Sequence, residues 1–170
     1  SLEKYTTLVM VSGSYDQLDN KQIDKIKNWI EDGNTLSTIA RGSSWAIDSD
    51  LINETLVKSK NDTTYSRKRY VDASEHIGRE RIGGVILNAD LDLTHPLAFG
   101  YHDKSIPVYK NNNVFINKTK DDYSSVAIYS EDFHIDGYIS ELNRKEFIPG
   151  AASLIVSNVF VIFNNLIIVY

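Results

Sequence analysis

No cysteine occurs among the 170 residues of this chain. Disulfide staples, thiolate metal sites and cysteine nucleophiles are therefore excluded. Proline is scarce at three and glycine moderate at nine, which removes collagen-like and low-complexity linker readings. Basic charge is not in excess either: 18 Lys and Arg stand against 23 Asp and Glu, a formal net charge of -5. Holding a phosphate backbone needs clustered Lys and Arg, so no nucleic-acid partner is expected. The start, Ser1-Leu2-Glu3-Lys4-Tyr5, lacks the basic and apolar stretches of a secretory leader. One long apolar run does exist, at 151–170, about long enough to cross a bilayer. Ser153, Ser157, Asn158, Asn164 and Asn165 interrupt it, and its β-branched residues suit buried strands or a core helix, so no membrane span is expected.

What remains, 42% hydrophobic and 24% charged residues, is the composition of one soluble globular domain covering 1–170. The apolar run Thr6–Ser12 stops at Gly13 and predicts a strand buried on both faces. Asp19 with Gln22 three residues on predicts a capping box, and Ile23, Ile26 and Ile30 follow at helical spacing up to Gly33, where a left-handed cap is wanted. A second strand over Thr35–Ala40 completes a βαβ unit. After Arg41-Gly42-Ser43-Ser44 and Trp45-Ala46-Ile47, a helix is predicted through Leu51, Ile52, Leu56 and Val57. The charge-dense stretch 58–81 reads as a long surface excursion. From about 82 to 140 come short strand-like runs, at Ile82–Leu91, Val108-Tyr109, Val114–Ile116, Val126–Tyr129 and Tyr138-Ile139. Turn material such as Asp136-Gly137 separates them. The expected fold is thus α/β: a three-layer core on a parallel sheet, with a β-rich insertion in its second half, returning to the core at Ala151–Val156.

Open α/β sheets place ligands at the carboxyl ends of their strands, which directs attention to Arg41-Gly42-Ser43-Ser44. Ser43 or Ser44 could stand on a nucleophile elbow, but Ala46 replaces the second glycine of Gly-x-Ser-x-Gly around Ser44. A turn serine or helix cap is the plainer reading. His76, His95, His102 and His134 show no zinc-ligand spacing, so no metal is expected. His95, in the rigid run Leu91-Asp92-Leu93-Thr94-His95-Pro96, is expected to satisfy a backbone group. Asp90 and Asp92, two apart on one strand, share a face and read as a solvated edge. Asp121-Asp122 and Glu131-Asp132 are further carboxylate pairs. Gly83-Gly84 is no nucleotide cradle. Tyr65, Tyr70, Tyr101, Tyr109 and Tyr123 offer aromatic material for a sugar- or peptide-binding surface. Asn53-Glu54-Thr55, Asn61-Asp62-Thr63 and Asn117-Lys118-Thr119 fit a glycosylation pattern that arises easily by chance.

Several segments in fixed order resemble the C-terminal domain of bacterial zinc carboxypeptidase-like proteins of the carboxypeptidase A type, a domain similar in fold to class I glutamine amidotransferases. They are Leu8–Leu18, the helix Ile23–Gly33, Thr35-Leu36, Gly42–Ala46, Arg81–Gly84, the run Asp90–Tyr101 containing Thr-His-Pro-Leu, Ser125–Ala127, Gly137–Ser140 and Ala151-Ala152. The resemblance implies that zinc and the catalytic glutamate belong to a preceding peptidase domain, leaving this domain without cofactor. An active amidotransferase carries cysteine at the elbow, whereas the turn here holds Gly42-Ser43-Ser44, so glutaminase chemistry is not implied. Relative to that family the first strand and helix are missing, as is a late glycine-containing hairpin, and Asn158–Tyr170 reads as a final helix.

A non-catalytic accessory domain of a longer peptidase chain, periplasmic or extracellular, follows as the expected function. Its partners would be the peptidase domain of the same chain, a peptide or glycan ligand, or a second copy. Candidate binding residues are Gly13, Ser14, Tyr15, Gly42, Ser43, Ser44, Trp45, His95 and Tyr101. Two alternatives stand beside it. One is a serine- or carboxylate-dependent hydrolase near Ser43, Ser44 and His95; the other is a carbohydrate- or peptide-binding module.

Overall fold

A computed structural model describes residues 2–58, 69–73, 82–121, 123–149, 151–157, 160–163 and 166–167. Strand β1 (Thr7–Met10) leads to helix α1 (Asn20–Glu31), then strand β2 (Thr35–Ile39) and helix α2 (Arg41–Asp48). Strands β3 (Val85–Leu91), β4 (Ser105–Lys110), β5 (Ile116–Asn117), β6 (Ser125–Gly137), β7 (Ala151–Ser157), β8 (Phe160–Phe163) and β9 (Leu166–Ile167) follow. These nine described strands share one sheet, in the order β1-β2-β8-β7-β6-β3-β4-β9, with β5 pairing β7 off that path. The protein therefore belongs to the expected α/β class. β1, β2 and β8 run parallel, and the β-rich second half continues the sheet with antiparallel pairs.

The βαβ unit forms as its sequence dictates. The Asp19 carboxylate accepts from the Gln22 backbone N–H at 2.8 Å, and the Gln22 side chain accepts from the Asp19 N–H at 2.9 Å, so the capping box is complete. Two otherwise orphaned donors at the helix start are thereby satisfied. Ile26, Trp29 and Ile30 are buried, and Gly33 takes a φ of +93°, open to glycine at little cost. Leu36 and Thr38 of β2 share a face by strand alternation. Leu36 joins one buried cluster with Met10, Ile26, Trp29, Ile30, Ala46, Ile155 and Ile162, which places both α1 and α2 on that side. A second cluster fills the β-rich half, around Leu87, Val108, Phe115, Val126, Ile148 and Leu154. Each buried Leu or Ile in these clusters contributes roughly 2 kcal/mol of transfer free energy.

Several elements differ from expectation. β1 is an end strand with Thr7 and Val9 exposed rather than a strand buried on both faces, because α1 and α2 both pack on the face of Leu8 and Met10. The second helix is not centred on Leu51–Val57: it starts at Arg41, directly after β2, and ends at Asp48. Ser49 caps it and Asp50, at φ +53°, turns the chain away. Leu51 and Ile52 are still buried, as core rather than as helix. Tyr138-Ile139 lies beyond β6 instead of forming a strand, and Asp136-Gly137 belongs to that strand's end, opposite Ile86 and Val85. Within 158–170 the described residues are strand, not a final helix. β8 pairs with both β7 and β2, as its Val and Ile side chains favour. Of the stretch 58–81, only 58 and 69–73 are described, with a short turn over Tyr70–Asp72.

Replacing Asp19 by Ala removes the cap that starts α1. Urea unfolding should show a loss of about 1 kcal/mol relative to the parent chain.

Candidate functional site

The chain leaves β2 and enters α2 through a single residue. Ala40 adopts φ 50°, ψ −111°, a region that a side chain with Cβ occupies only under strain. Its carbonyl at once accepts the first helical bonds, from Ser43 N–H at 3.0 Å and Ser44 N–H at 3.3 Å. Two residues on, Gly42 lies so close to the end of β1 that an added Cβ would stand 2.7 Å from the Met10 oxygen and 3.1 Å from that of Val11. A strained strand-to-helix bend with an obligatory small residue two places later is the geometry of a nucleophile elbow. The nucleophile position is therefore Ala40, not Ser43 or Ser44. The spacing Thr38-Ile39-Ala40-Arg41-Gly42 held the signal: taking Gly42 as the second glycine points to Ala40, whereas attention to reactive hydroxyls points three or four residues too far.

Ser43 is fully buried inside the first turn of α2, its hydroxyl 3.0 Å from that of Thr38. That bond ties the helix to β2 and leaves Ser43 far from solvent. Gly42 is likewise buried and steric in role. Ser44 differs: it opens onto a cleft of about 720 Å³ lined by Gly13, Ser14, Tyr15, Asp16, Arg41, Trp45, Asp48, Ile82, Gly83 and the loop 111–114. Tyr15 and Trp45 form one wall, ring centroids 5.3 Å apart, and the Tyr15 hydroxyl donates to the Val11 carbonyl at 2.6 Å. Ser14 donates to Asp16 at 2.6 Å. Among the described residues no partner engages the side chains of Arg41, Asp48 or Asn111, so one cation, one anion and one amide face the cleft uncommitted.

The far wall is anchored by Lys110, fully buried at the end of β4. Its ammonium donates to the Val114 carbonyl at 2.5 Å and to Asn112 Oδ1 at 3.1 Å, and it lies 4.3 Å from the centre of the Phe115 ring. Burial pushes this ammonium well below its ordinary pKa, since a low-dielectric site disfavours the charged form. No local pattern marks Lys110 in advance, because burial of a lysine is visible only once the chain is folded.

Of the residues singled out from sequence, the structure brings Gly13, Ser14, Tyr15, Ser44 and Trp45 together, with Gly42 and Ser43 packed behind them. It does not bring His95 or Tyr101 to them. β8 runs with β2, and β7, β6 and β3 then alternate in direction. The end of β3, and with it His95, thus lies at the opposite end of the sheet from the end of β2. There His95 Nδ1 accepts from the Leu97 N–H at 3.2 Å and caps a short turn over Pro96–Ala98, the backbone role expected of it. Tyr101 packs against the β-rich core. Asp92 falls just past the end of β3, although it lines the same hollow as Asp90. It accepts from the Thr94 N–H and hydroxyl, and these bonds hold its carboxyl below the usual range. His134 meets the Gly137 carbonyl at 2.8 Å, while His76 and Tyr65 lie outside the described residues. Among the described residues no three His, Asp or Glu side chains converge as metal ligands would, and no described helix is long and apolar enough to cross a membrane.

No protein-family model matches the sequence, and no curated protein matches it either. Solved structures do match. A chain of PurLQS from Thermotoga maritima is 14% identical at a TM-score of 0.56, over 98% of this chain and 70% of that one. A glutamine amidotransferase from Thermotoga maritima is 12% identical at a TM-score of 0.53, over 97% of this chain. A GMP synthase subunit from Thermoplasma acidophilum is 14% identical at a TM-score of 0.48, over 96% of this chain. This chain spans 64% of the Thermoplasma protein and 57% of the Thermotoga amidotransferase. The likeness is one of fold, and it is to amidotransferase-like domains; nothing in the comparisons connects the chain with a zinc carboxypeptidase.

Two substitutions read the elbow directly. Ala40→Gly should leave stability unchanged or raise it by up to about 1 kcal/mol, because relief of backbone strain offsets the entropy glycine normally costs. Gly42→Ala should lower it by about 1–3 kcal/mol, the usual penalty of overpacking. Chemical denaturation of both variants checks the pair.

Proposed function

We propose that this chain is a non-catalytic amidotransferase-like domain that holds a ligand or partner in the cleft beside Ser14, Tyr15, Ser44 and Trp45. The observation that carries this reading is Ala40: the residue on the strained bend offers a methyl group, and a methyl group has neither a proton to give up nor an electron pair with which to attack. Ser43 is no substitute, because its hydroxyl is buried against Thr38. Ser44 faces the cleft, but no histidine is among the described residues that line it, and His95 is at the other end of the sheet. These separations weigh against a serine hydrolase built on Ser43, Ser44 and His95.

The residue runs shared with the C-terminal domains of zinc carboxypeptidase-like proteins support a finer reading: an accessory domain in a longer peptidase chain, acting in the periplasm or outside the cell. In that arrangement zinc and the catalytic glutamate would sit in the preceding domain, and none of this chain's residues is assigned to the metal. The cleft supplies what recognition needs, an aromatic wall for apolar contact and a few polar groups to fix orientation.

Purified chain should show no turnover of glutamine or of a chromogenic ester, and Ser44→Ala should change nothing. Turnover that disappears in Ser44→Ala while circular dichroism remains native would overturn the non-catalytic reading.

A further inference from the structure

Helix α2 carries its charges in the order that its own backbone disfavours. A helix presents positive partial charge at its start and negative at its end, so acidic residues suit the first turn and basic ones the last. Here Arg41 opens α2 and Asp48 closes it, with no acidic residue in the first turn and no basic one in the last. A local preference broken at both ends of one helix points to a use outside that helix. Both side chains line the cleft. Helical periodicity places positions 41, 44, 45 and 48 on one face, and seven steps of rise set the first and last Cα atoms about 10 Å apart. Ser44 and Trp45 stand between them, with the Tyr15 ring 5.3 Å from that of Trp45. Among the described residues neither Arg41 nor Asp48 has a partner. Another carboxylate of the cleft, Asp16, already holds the Ser14 hydroxyl at 2.6 Å.

We infer that the cleft binds a short zwitterionic peptide, its carboxylate on Arg41, a central side chain against Tyr15 and Trp45, and its ammonium toward Asp48. This rests on the reading of the cleft as a binding site and names the ligand it takes. Three extended residues span about 10 Å, the separation of the two charged positions along α2. A free amino acid is too short to reach both, and a neutral sugar presents no charge to either. Bound in this sense, the peptide offsets the unfavourable order of the helix: negative charge comes to its start and positive charge to its end. The guanidinium takes a carboxylate through two parallel N–H donors. Asn111, on the opposite wall, offers both a donor and an acceptor to the peptide backbone. The aromatic pair supplies apolar area for the side chain between the termini. Opposite charges at the two ends also fix the direction, since a reversed peptide would bring like charges together.

Calorimetric titration of the 170-residue chain with the tripeptide Ala-Phe-Ala tests it. Saturable binding is expected for the free tripeptide. Acetylating its amino end or amidating its carboxyl end should weaken binding by about fivefold, the worth of one exposed ion pair. Arg41→Gln should abolish the difference between free and amidated peptide, and Asp48→Asn that between free and acetylated peptide. Each variant should keep the discrimination at the other end. Neither should unfold at lower urea than the parent chain, because each removes a charge that its helix end disfavours. No saturable binding, or equal binding of free and capped peptides, would overturn the assignment of the ligand. Either result leaves the non-catalytic reading of the cleft standing, since that reading fails separately, on turnover of glutamine or of an ester.

Discussion

The bend at Ala40 governs the arrangement of the whole site. A chain that passes from β2 to α2 in one residue must take a backbone conformation that costs of order 1–3 kcal/mol, and surrounding structure must hold it there. Three contacts do so. The Ala40 carbonyl receives the first helical N–H groups, Ser43 is bound to Thr38, and Gly42 lets the helix start lie directly on the Met10 and Val11 carbonyls. The same approach aligns the loop after β1 with the start of α2, so Gly13–Asp16 and Arg41–Asp48 together form one wall of the cleft. Cleft and elbow are consequences of one constraint.

Across the cleft, a different interaction fixes the opposite wall. Lys110 reaches back from the end of β4 to the Val114 carbonyl and Asn112, over the Phe115 ring. A buried ammonium is costly unless its donors are satisfied, and satisfying them here shapes the loop 111–114. The two walls thus belong to different parts of the fold, one to the βαβ unit and one to the β-rich half, and the long-range path of the sheet brings them together. Local sequence could not reveal that cleft, because its halves are separated by about seventy residues of chain, from Arg41 to Asn111.

What is legible from sequence follows the range of the interactions involved. The capping box at Asp19 and Gln22, the apolar stripe of α1 and the Gly33 cap are local signals, and all form as read. β2 ends within one residue of its expected limit. Elements decided by tertiary contacts depart from the reading: β8 draws its partners from β7 and β2, and α2 begins early because Gly42 fits against β1. His95 shows its backbone role in advance, through the proline after it. The elbow escapes notice for a chemical reason, since serine hydroxyls draw attention and alanine, having no chemistry, draws none. The likeness to amidotransferase-like structures fits this division, because it is a likeness of fold, and a fold does not by itself carry a function.

The crystallographic torsion angles of residue 40 test the central claim most directly. The account expects Ala40 with positive φ and strongly negative ψ, its carbonyl capping α2 and Gly42 against the Met10 oxygen. A relaxed extended or helical Ala40, with the sharp bend moved to Ser43 or Ser44 and a histidine within hydrogen-bond reach of that hydroxyl, would contradict it.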